Sequence, residues 1–153
     1  MAENLALTYY SDVLCVWAHI SQARVDEVAE QFADDVSIDY RFCSVFGDTA
    51  HKIGIGWAER GGYAEFGKHL REAVSETVGV SVNDVQEAID CGAAHADLEA
   101  DHRDQQILMV QGSSTFILNE GRQKLYGNVG YGVIEANIKE LLRSPMAGAA
   151  SWC

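Results

Sequence analysis

The residue best placed for chemistry is Cys15, where a short strand pattern ends and a helical pattern begins. A thiol at a helix N-terminus faces unpaired backbone N–H groups and the positive end of the helix dipole. Both stabilise the thiolate, which is the nucleophilic form of cysteine. Three residues later, where a redox pair would place its second cysteine, the chain has Ala18. The sequence therefore predicts one reactive thiol without a neighbouring partner.

Three side chains close to Cys15 in the sequence could assist it. His19 follows by four residues and can share its helix face, where an imidazolium would stabilise the thiolate and a neutral ring could accept a proton. A histidine on the helix surface is the alternative. Trp17 is expected at the rim of a groove beside the thiol, although packing alone would also explain it. Asp12 is predicted to be a turn residue.

The other cysteines do not form a paired pattern with Cys15. Cys43 ends a strand pattern and Cys91 ends a helical one, so both are interpreted as structural. Cys153 closes the chain, and we keep open the hypothesis that it resolves a disulfide at Cys15. Four cysteines at these spacings resemble neither a disulfide scaffold nor a zinc site, and we therefore expect a reducing, cytoplasmic location.

Composition excludes several classes of partner. The chain has 153 residues, ordinary hydrophobic content at 48%, and a net charge of −12. Such an acidic chain lacks the clustered Lys and Arg that bind a phosphate backbone, and no apolar run is long enough to span a membrane. His95, Glu99 and His102 have helical spacing, but no further ligand supports a metal site. We predict neither a nucleic-acid nor a membrane partner, and no metal or organic cofactor.

The hydrophobic periodicity predicts a β-α-β unit at the start of the chain. Apolar residues alternate over residues 5–10 and again over residues 36–43, as in strands. Between them a helix is predicted over about residues 15–33. The face expected to be buried comprises Val25, Val28, Ala29 and Phe32. A crossover of this kind makes the two strands parallel.

A helical insertion is predicted over approximately residues 48–110. Its helices are expected at about residues 64–78, 82–90 and 94–110. Ser81 is a predicted N-cap of the middle helix, and Gly79 and Gly92 are predicted to end helices. No second hydrophobic core is evident in this part of the sequence.

The remainder predicts a β-β-α unit. Residues 115–118 and 123–126 are expected to form a hairpin about a turn at residues 119–122, and a last helix is expected to end before Pro145. The predicted fold class is therefore an α/β sandwich of about four strands, a single domain over residues 1–153.

This order, with a thiol at the first strand-to-helix junction, resembles the thioredoxin-like fold, and more narrowly the DsbA family of thiol–disulfide oxidoreductases. Residues 12–19 are similar to an acidic residue followed, after two others, by Cys-Pro-Trp-Cys. Residues 112–118 are similar to Gly-X-Pro-Thr-Phe and its apolar continuation. The strand, glycine bend and helix over residues 125–136 are similar to the end of the family fold. The resemblance covers nearly the whole chain.

The departures from the family pattern lie at the site itself. Val16 and Ala18 replace the proline and the second cysteine. Ser114 stands where the family has a cis-proline that faces the thiol. Because a cis bond before a residue other than proline costs about 2.5–4 kcal/mol, we expect the Ser113–Ser114 bond to be trans.

The resemblance implies thiol–disulfide chemistry with Cys15 as the catalytic residue, through a mixed disulfide or glutathione-linked reaction. The substrate-binding residues that it implies are Trp17, His19, Ser113, Ser114 and Thr115. Glutathione is the expected co-substrate, and the expected partner carries a thiol or disulfide, as a protein, a peptide or glutathione. The alternatives are a glutathione-dependent transferase or isomerase on the same fold and a non-catalytic thioredoxin-like binding module. Oligomeric state, including a homodimer, stays open.

Overall fold

The structure is a computed structural model, and it describes residues 4–13, 15–44, 72 and 75–143. The strands and helices are, in chain order, β1 (Leu5–Ser11), α1 (Val16–Gln31), β2 (Val36–Phe42), α2 (Val82–Asp90), α3 (Ala93–Ile107), β3 (Thr115–Leu118), β4 (Gln123–Tyr126) and α4 (Tyr131–Arg143). The chain forms two compact units, one of Met1–Val45 with Asp101–Cys153 and the other of Phe46–Ala100. The single domain with an insertion at about residues 48–110 stays a prediction.

The first unit is built on a four-stranded mixed sheet in the order β2-β1-β3-β4. β1 runs parallel to β2, with Leu5 opposite Val36 and Ser11 opposite Phe42. β3 is antiparallel to both β1 and β4. The α/β fold class is therefore confirmed: a parallel β-α-β pair is completed by an antiparallel hairpin.

One face of the sheet carries the main hydrophobic core, onto which α1 and α4 pack. Its buried residues are Leu5, Leu7, Tyr9, Val25, Val28, Phe32, Val36, Phe116, Leu118, Ile134, Ile138 and Leu141. The face of α1 differs from the predicted one at Ala29, which is exposed, because the buried positions continue through Ala18 and Ser21 instead. On the other face, Tyr10, Cys43, Val110 and Ile117 form a smaller cluster.

The hairpin and the last helix close the first unit as predicted. Asn119 and Glu120 have φ values of 49° and 55°, which reverse the chain between β3 and β4. The Asn119 N–H also donates to the carbonyl of Ala6 at 2.8 Å, which ties the turn to β1. The tail after α4, including Cys153, lies outside the described residues.

The second unit contains α2 and the first part of α3. The Asp84 N–H donates to Oγ of Ser81 at 3.0 Å, so Ser81 is the N-cap that was predicted. Gly79 and Gly92 have φ values of +70° and +84° and end helical segments. Only residues 72 and 75–78 of the helix predicted at 64–78 are described, and they are helical. No helix among the described residues has the length and hydropathy to cross a membrane.

A candidate thiol site at the start of the first helix

Cys15 lies between the end of β1 and the first turn of α1, as the sequence predicts. It is the N-cap of α1, with extended backbone angles of φ −87° and ψ 116°. Its N–H donates to the carbonyl of Asp12 at 2.9 Å, and its own carbonyl accepts from the N–H of His19 at 3.1 Å. The thiol makes no capping hydrogen bond to the helix, and 8% of the residue is exposed. The sulfur is thus placed at a helix N-terminus by the backbone.

The loop before β3 brings Ser113 to this thiol from the other half of the chain. Sγ of Cys15 donates to the carbonyl oxygen of Ser113 over 3.7 Å. The hydroxyl of the same serine accepts from the N–H of Asp12 at 2.9 Å. Ser113 therefore contacts both ends of the turn that leads into α1.

Ser114 holds the loop before β3 against the bend after β4. Its hydroxyl donates to the carbonyl of Gly127 at 3.1 Å, and its own carbonyl accepts from the Gly127 N–H at 2.8 Å. The peptide bond between Ser113 and Ser114 is cis, so the expectation of a trans bond is wrong. That expectation used only the preference of an isolated peptide, whereas Ser114 is held in the fold by contacts on two sides.

The three predicted loop residues differ in what a ligand could reach. Ser113 is half-buried, whereas Ser114 and Thr115 are fully buried. The Thr115 hydroxyl donates to the carbonyl of Gly112 at 2.6 Å, within the loop. In this conformation only Ser113 offers surface beside the thiol, and the other two residues support it.

The exposed part of the site is an apolar stripe on α1 and the turn before it. Trp17 is 49% exposed, and its neighbours at helical spacing are exposed as well; the apolar stripe comprises Val13, Val16, Trp17 and Ile20. His19 is exposed on the same helix. Ala18, by contrast, is buried, and its carbonyl accepts from the Tyr9 hydroxyl at 3.1 Å. The position of the absent second thiol therefore points into the protein.

Sequence reasoning missed two residues that lie beneath the thiol, Tyr9 and Ser21. The Ser21 hydroxyl lies 3.1 Å from that of Ser114, and both residues are fully buried. Burial raises the pKa of Tyr9, and hydrogen bonding from Ser21 and Ser114 acts in the opposite direction. We call Tyr9, Ser21 and Ser114 the hydroxyl cluster. Its signal in the sequence is a serine on the buried face of α1, in line with Ala18 and Val25.

Cys43, at the end of β2, has a different environment. It is fully buried, its N–H donates to the carbonyl of Ser11 at 2.9 Å, and its sulfur accepts from Nε2 of Gln105 at 3.2 Å. Burial, followed by the negative charges of Asp12 and Cys15, raises the pKa of Cys43 to about 11. Burial and the neighbouring negative charges therefore both disfavour a thiolate at Cys43.

The remaining candidates show no assembled site. Cys91 is exposed at the end of α2, and its thiol donates to the carbonyl of Ala88 at 3.7 Å. His102 contacts the side-chain amide of Gln106 at 3.0 Å. Among the residues that the structure describes, no three His, Cys, Asp or Glu side chains are grouped so that they could hold a metal ion.

Several solved structures share this architecture. A thioredoxin-like oxidoreductase from Silicibacter pomeroyi DSS-3 matches with a TM-score of 0.68 at 16% identity, covering 92% of this chain and 87% of its own. The thiol-disulfide exchange protein alpha-DsbA2 from Wolbachia pipientis matches with a TM-score of 0.66 at 11% identity, covering 90% and 81%. A 2-hydroxychromene-2-carboxylate isomerase matches with a TM-score of 0.65 at 16% identity, covering 92% and 97%.

Comparisons of sequence alone, unlike the comparison of structures, give no match. No family model matches the chain, and no curated protein matches it. At identities of 16% and below, the structural likeness establishes the fold, which is the thioredoxin-like fold of DsbA-like proteins. Proteins named for oxidation, for thiol–disulfide exchange and for isomerisation all share it, so the chemistry must be argued from the residues of the site.

Proposed function

We propose that this chain catalyses thiol–disulfide exchange in the manner of DsbA-like proteins, with Cys15 as its single nucleophile. The observation that carries the proposal is the placement of Cys15 as the N-cap of α1, beside the carbonyl of Ser113. Unpaired N–H groups at that helix end favour the thiolate that attacks disulfides. Ala18 occupies the buried position of a second thiol, so the site works through one sulfur.

The reaction has two balanced steps. The thiolate of Cys15 attacks one sulfur of a substrate disulfide; a new S–S bond forms, the substrate S–S bond breaks, and the other substrate sulfur leaves as a thiolate. A thiolate from solution then attacks the substrate sulfur of the mixed disulfide. A new S–S bond forms between these two sulfurs, the bond to Cys15 breaks, and Cys15 leaves as the free thiolate. Glutathione suits this second role. A reducing, cytoplasmic location belongs to the same proposal because free thiols there would supply that step.

The surface around the thiol supports a substrate with apolar character. The apolar stripe lies on both sides of Cys15 in the chain, on the turn before α1 and on the first five residues of that helix, and Trp17 is half exposed. Exposed aromatic and aliphatic side chains next to a reactive group provide contact area for a partner. We infer that the substrate is a protein or peptide disulfide with apolar residues near its cysteine, in addition to glutathione itself.

Incubation with oxidised glutathione, followed by intact mass and peptide mapping, tests the proposal. We expect one glutathione adduct at Cys15 that persists after the oxidant is removed, because Ala18 stands in place of the neighbouring thiol that would release it. Addition of reduced glutathione should then restore the free thiol. The Cys15→Ser variant should lose this adduct, and Cys91→Ser should keep it. An inert Cys15 would contradict the proposal and favour a non-catalytic binding module.

A glutathione-dependent isomerase or transferase is a second candidate, favoured by the isomerase among the structural relatives. Such an enzyme would bind reduced glutathione without forming a disulfide to it. Calorimetric titration of the Cys15→Ser variant with reduced glutathione separates the two. Saturable binding without the thiol supports the second candidate, and absence of binding together with a Cys15 adduct in the unmodified protein supports exchange.

A further inference from the structure

The hydroxyl cluster beneath Cys15 connects three parts of the first unit. Ser21 belongs to α1, Ser114 to the loop before β3, and Gly127 to the bend after β4. The contacts run from Oγ of Ser21 to Oγ of Ser114 at 3.1 Å and from there to the carbonyl of Gly127 at 3.1 Å. Both serines are fully buried, so the bond between their hydroxyls is shielded from water, whereas the bond to Gly127 is part-buried.

Each of the three buried hydroxyls lies within hydrogen-bond distance of an acceptor. The Ser114 hydroxyl donates to the carbonyl of Gly127 at 3.1 Å, and the Tyr9 hydroxyl donates to the carbonyl of Ala18 at 3.1 Å. Oγ of Ser21 lies 3.1 Å from Oγ of Ser114, and either hydroxyl can be the donor of that bond.

The neighbour of Ser114 is the residue that faces the thiol. The carbonyl of Ser113 accepts the Cys15 proton over 3.7 Å, while the Ser113 hydroxyl accepts from the N–H of Asp12. A carbonyl oxygen accepts a hydrogen bond from a thiol, but the partial negative charge at this end of its dipole repels a thiolate, which has no proton to donate. The loop therefore opposes the helix N-terminus, which favours the thiolate.

We propose that Ser21 and Ser114 are positioning residues, whose buried hydroxyl pair holds the Ser113 carbonyl against Cys15 and favours the protonated thiol in the resting protein. This inference rests on the proposed function in that Cys15 is the reactive residue. A substrate that displaces the carbonyl from the sulfur removes the opposition and leaves the helix N-terminus to stabilise the thiolate.

Other ionisable groups lie near this thiol in the chain or in the fold and must be held constant. The buried Asp12 precedes it, His19 lies one turn along α1, Tyr9 lies beneath it on β1, and Cys43 lies at the end of β2. The loop before β3 carries no ionisable side chain. Substituting the two serines therefore changes the position of the carbonyl without changing any charge around Cys15.

The test is the pH profile of Cys15 alkylation by iodoacetamide, followed by peptide mapping, in Ser114→Ala, Ser21→Ala and the double variant. Loosening the carbonyl should lower the midpoint by about half a pH unit and raise the rate at pH 7 about threefold. Because both substitutions break the same hydrogen bond, the double variant should shift no further than Ser114→Ala. Ser21→Ala acts from α1 and leaves the loop sequence intact.

Ser75→Ala is the matched control, since Ser75 is buried and its hydroxyl makes no hydrogen bond within the described part of the chain. Its profile should coincide with that of the unmodified protein. A midpoint unchanged in both test variants would overturn the proposal. An equal rate increase at every pH would also overturn it, since that indicates only greater exposure. Failure of the glutathione reaction in the unmodified protein would instead count against the proposed function.

Discussion

Cys15 and Cys43 each follow one of two adjacent parallel strands, yet their burial and their hydrogen-bond partners differ. After β1 the chain turns directly into α1, and Cys15 becomes the N-cap residue of that helix, buried but with 8% of its surface exposed. After β2 the sulfur is fully buried, accepts a hydrogen bond from Gln105, and has its pKa raised to about 11. The two cysteines follow equivalent strands, and the helix that begins after Cys15 gives it a different environment from that of Cys43.

On the proposed function, the difference explains why Cys15 rather than Cys43 suits chemistry at neutral pH. The backbone N–H groups at the start of α1 favour negative charge at Cys15, although the Ser113 carbonyl opposes them in the resting protein. Cys43 lies near the negative charges of Asp12 and Cys15, so its ionisation is opposed both by burial and by its neighbours. In the part of the chain that the structure describes, no helix begins at Cys43 that would offset these two effects.

The largest expected effect comes from introducing a second thiol three residues after Cys15. In Ala18→Cys the second thiol lies three residues from Cys15 on α1, so it can attack the mixed disulfide as an intramolecular nucleophile. We expect the lifetime of the glutathione adduct at Cys15 to fall by about 100-fold or more. Intact mass after a timed quench measures it. The double variant Ala18→Cys with Cys15→Ser is the control, and an unchanged lifetime would mean that the two sulfurs cannot meet.

A smaller effect should appear in the buried region at high pH. The pKa of Cys43 is raised from 9.0 to about 11, so the folded state holds this proton more tightly than the unfolded state. Its contribution to stability is full below pH 9 and is lost as the pH rises towards 11. Urea unfolding at pH 8 and at pH 10.5 should show a loss on the order of 1 kcal/mol in the unmodified protein beyond that in Cys43→Ala. Equal losses would contradict the burial argument.

The smallest effect concerns the surface beside the reactive thiol. Trp17→Ala should slow exchange with an apolar peptide disulfide about threefold, because part of an aromatic contact is lost. Exchange with oxidised glutathione should stay unchanged, since that substrate does not need the apolar stripe. Tyr126→Ala, which removes another half-exposed aromatic residue, serves as control. A proportional decrease with both substrates would show that Trp17 supports the site rather than binding the substrate.

Local patterns predicted the sheet well and the loop at the site less well. Alternation along β1 and β2 follows from the deeper burial of one face, with Tyr10 as the exception, and the cap at Ser81 follows from the chemistry of its side chain. The arrangement of Ser114 depends on Ser21, which is 93 residues away in the sequence and shows only as a serine on an apolar face. Contacts over such a separation leave no periodic signal. The trans Ser113–Ser114 bond expected from peptide preference alone is the expectation at this loop that the structure contradicts.

The central claim is that the start of α1, and not the end of a strand as such, makes a cysteine reactive in this fold. It is tested most directly by alkylating the native protein at pH 7 and measuring the rates at Cys15 and Cys43 separately by peptide mapping. We expect Cys15 to react at least about 100-fold faster, since Cys43 is fully buried and its pKa is raised to about 11, whereas Cys15 keeps some exposed surface at a helix N-terminus. Equal rates, or faster reaction at Cys43, would contradict the claim.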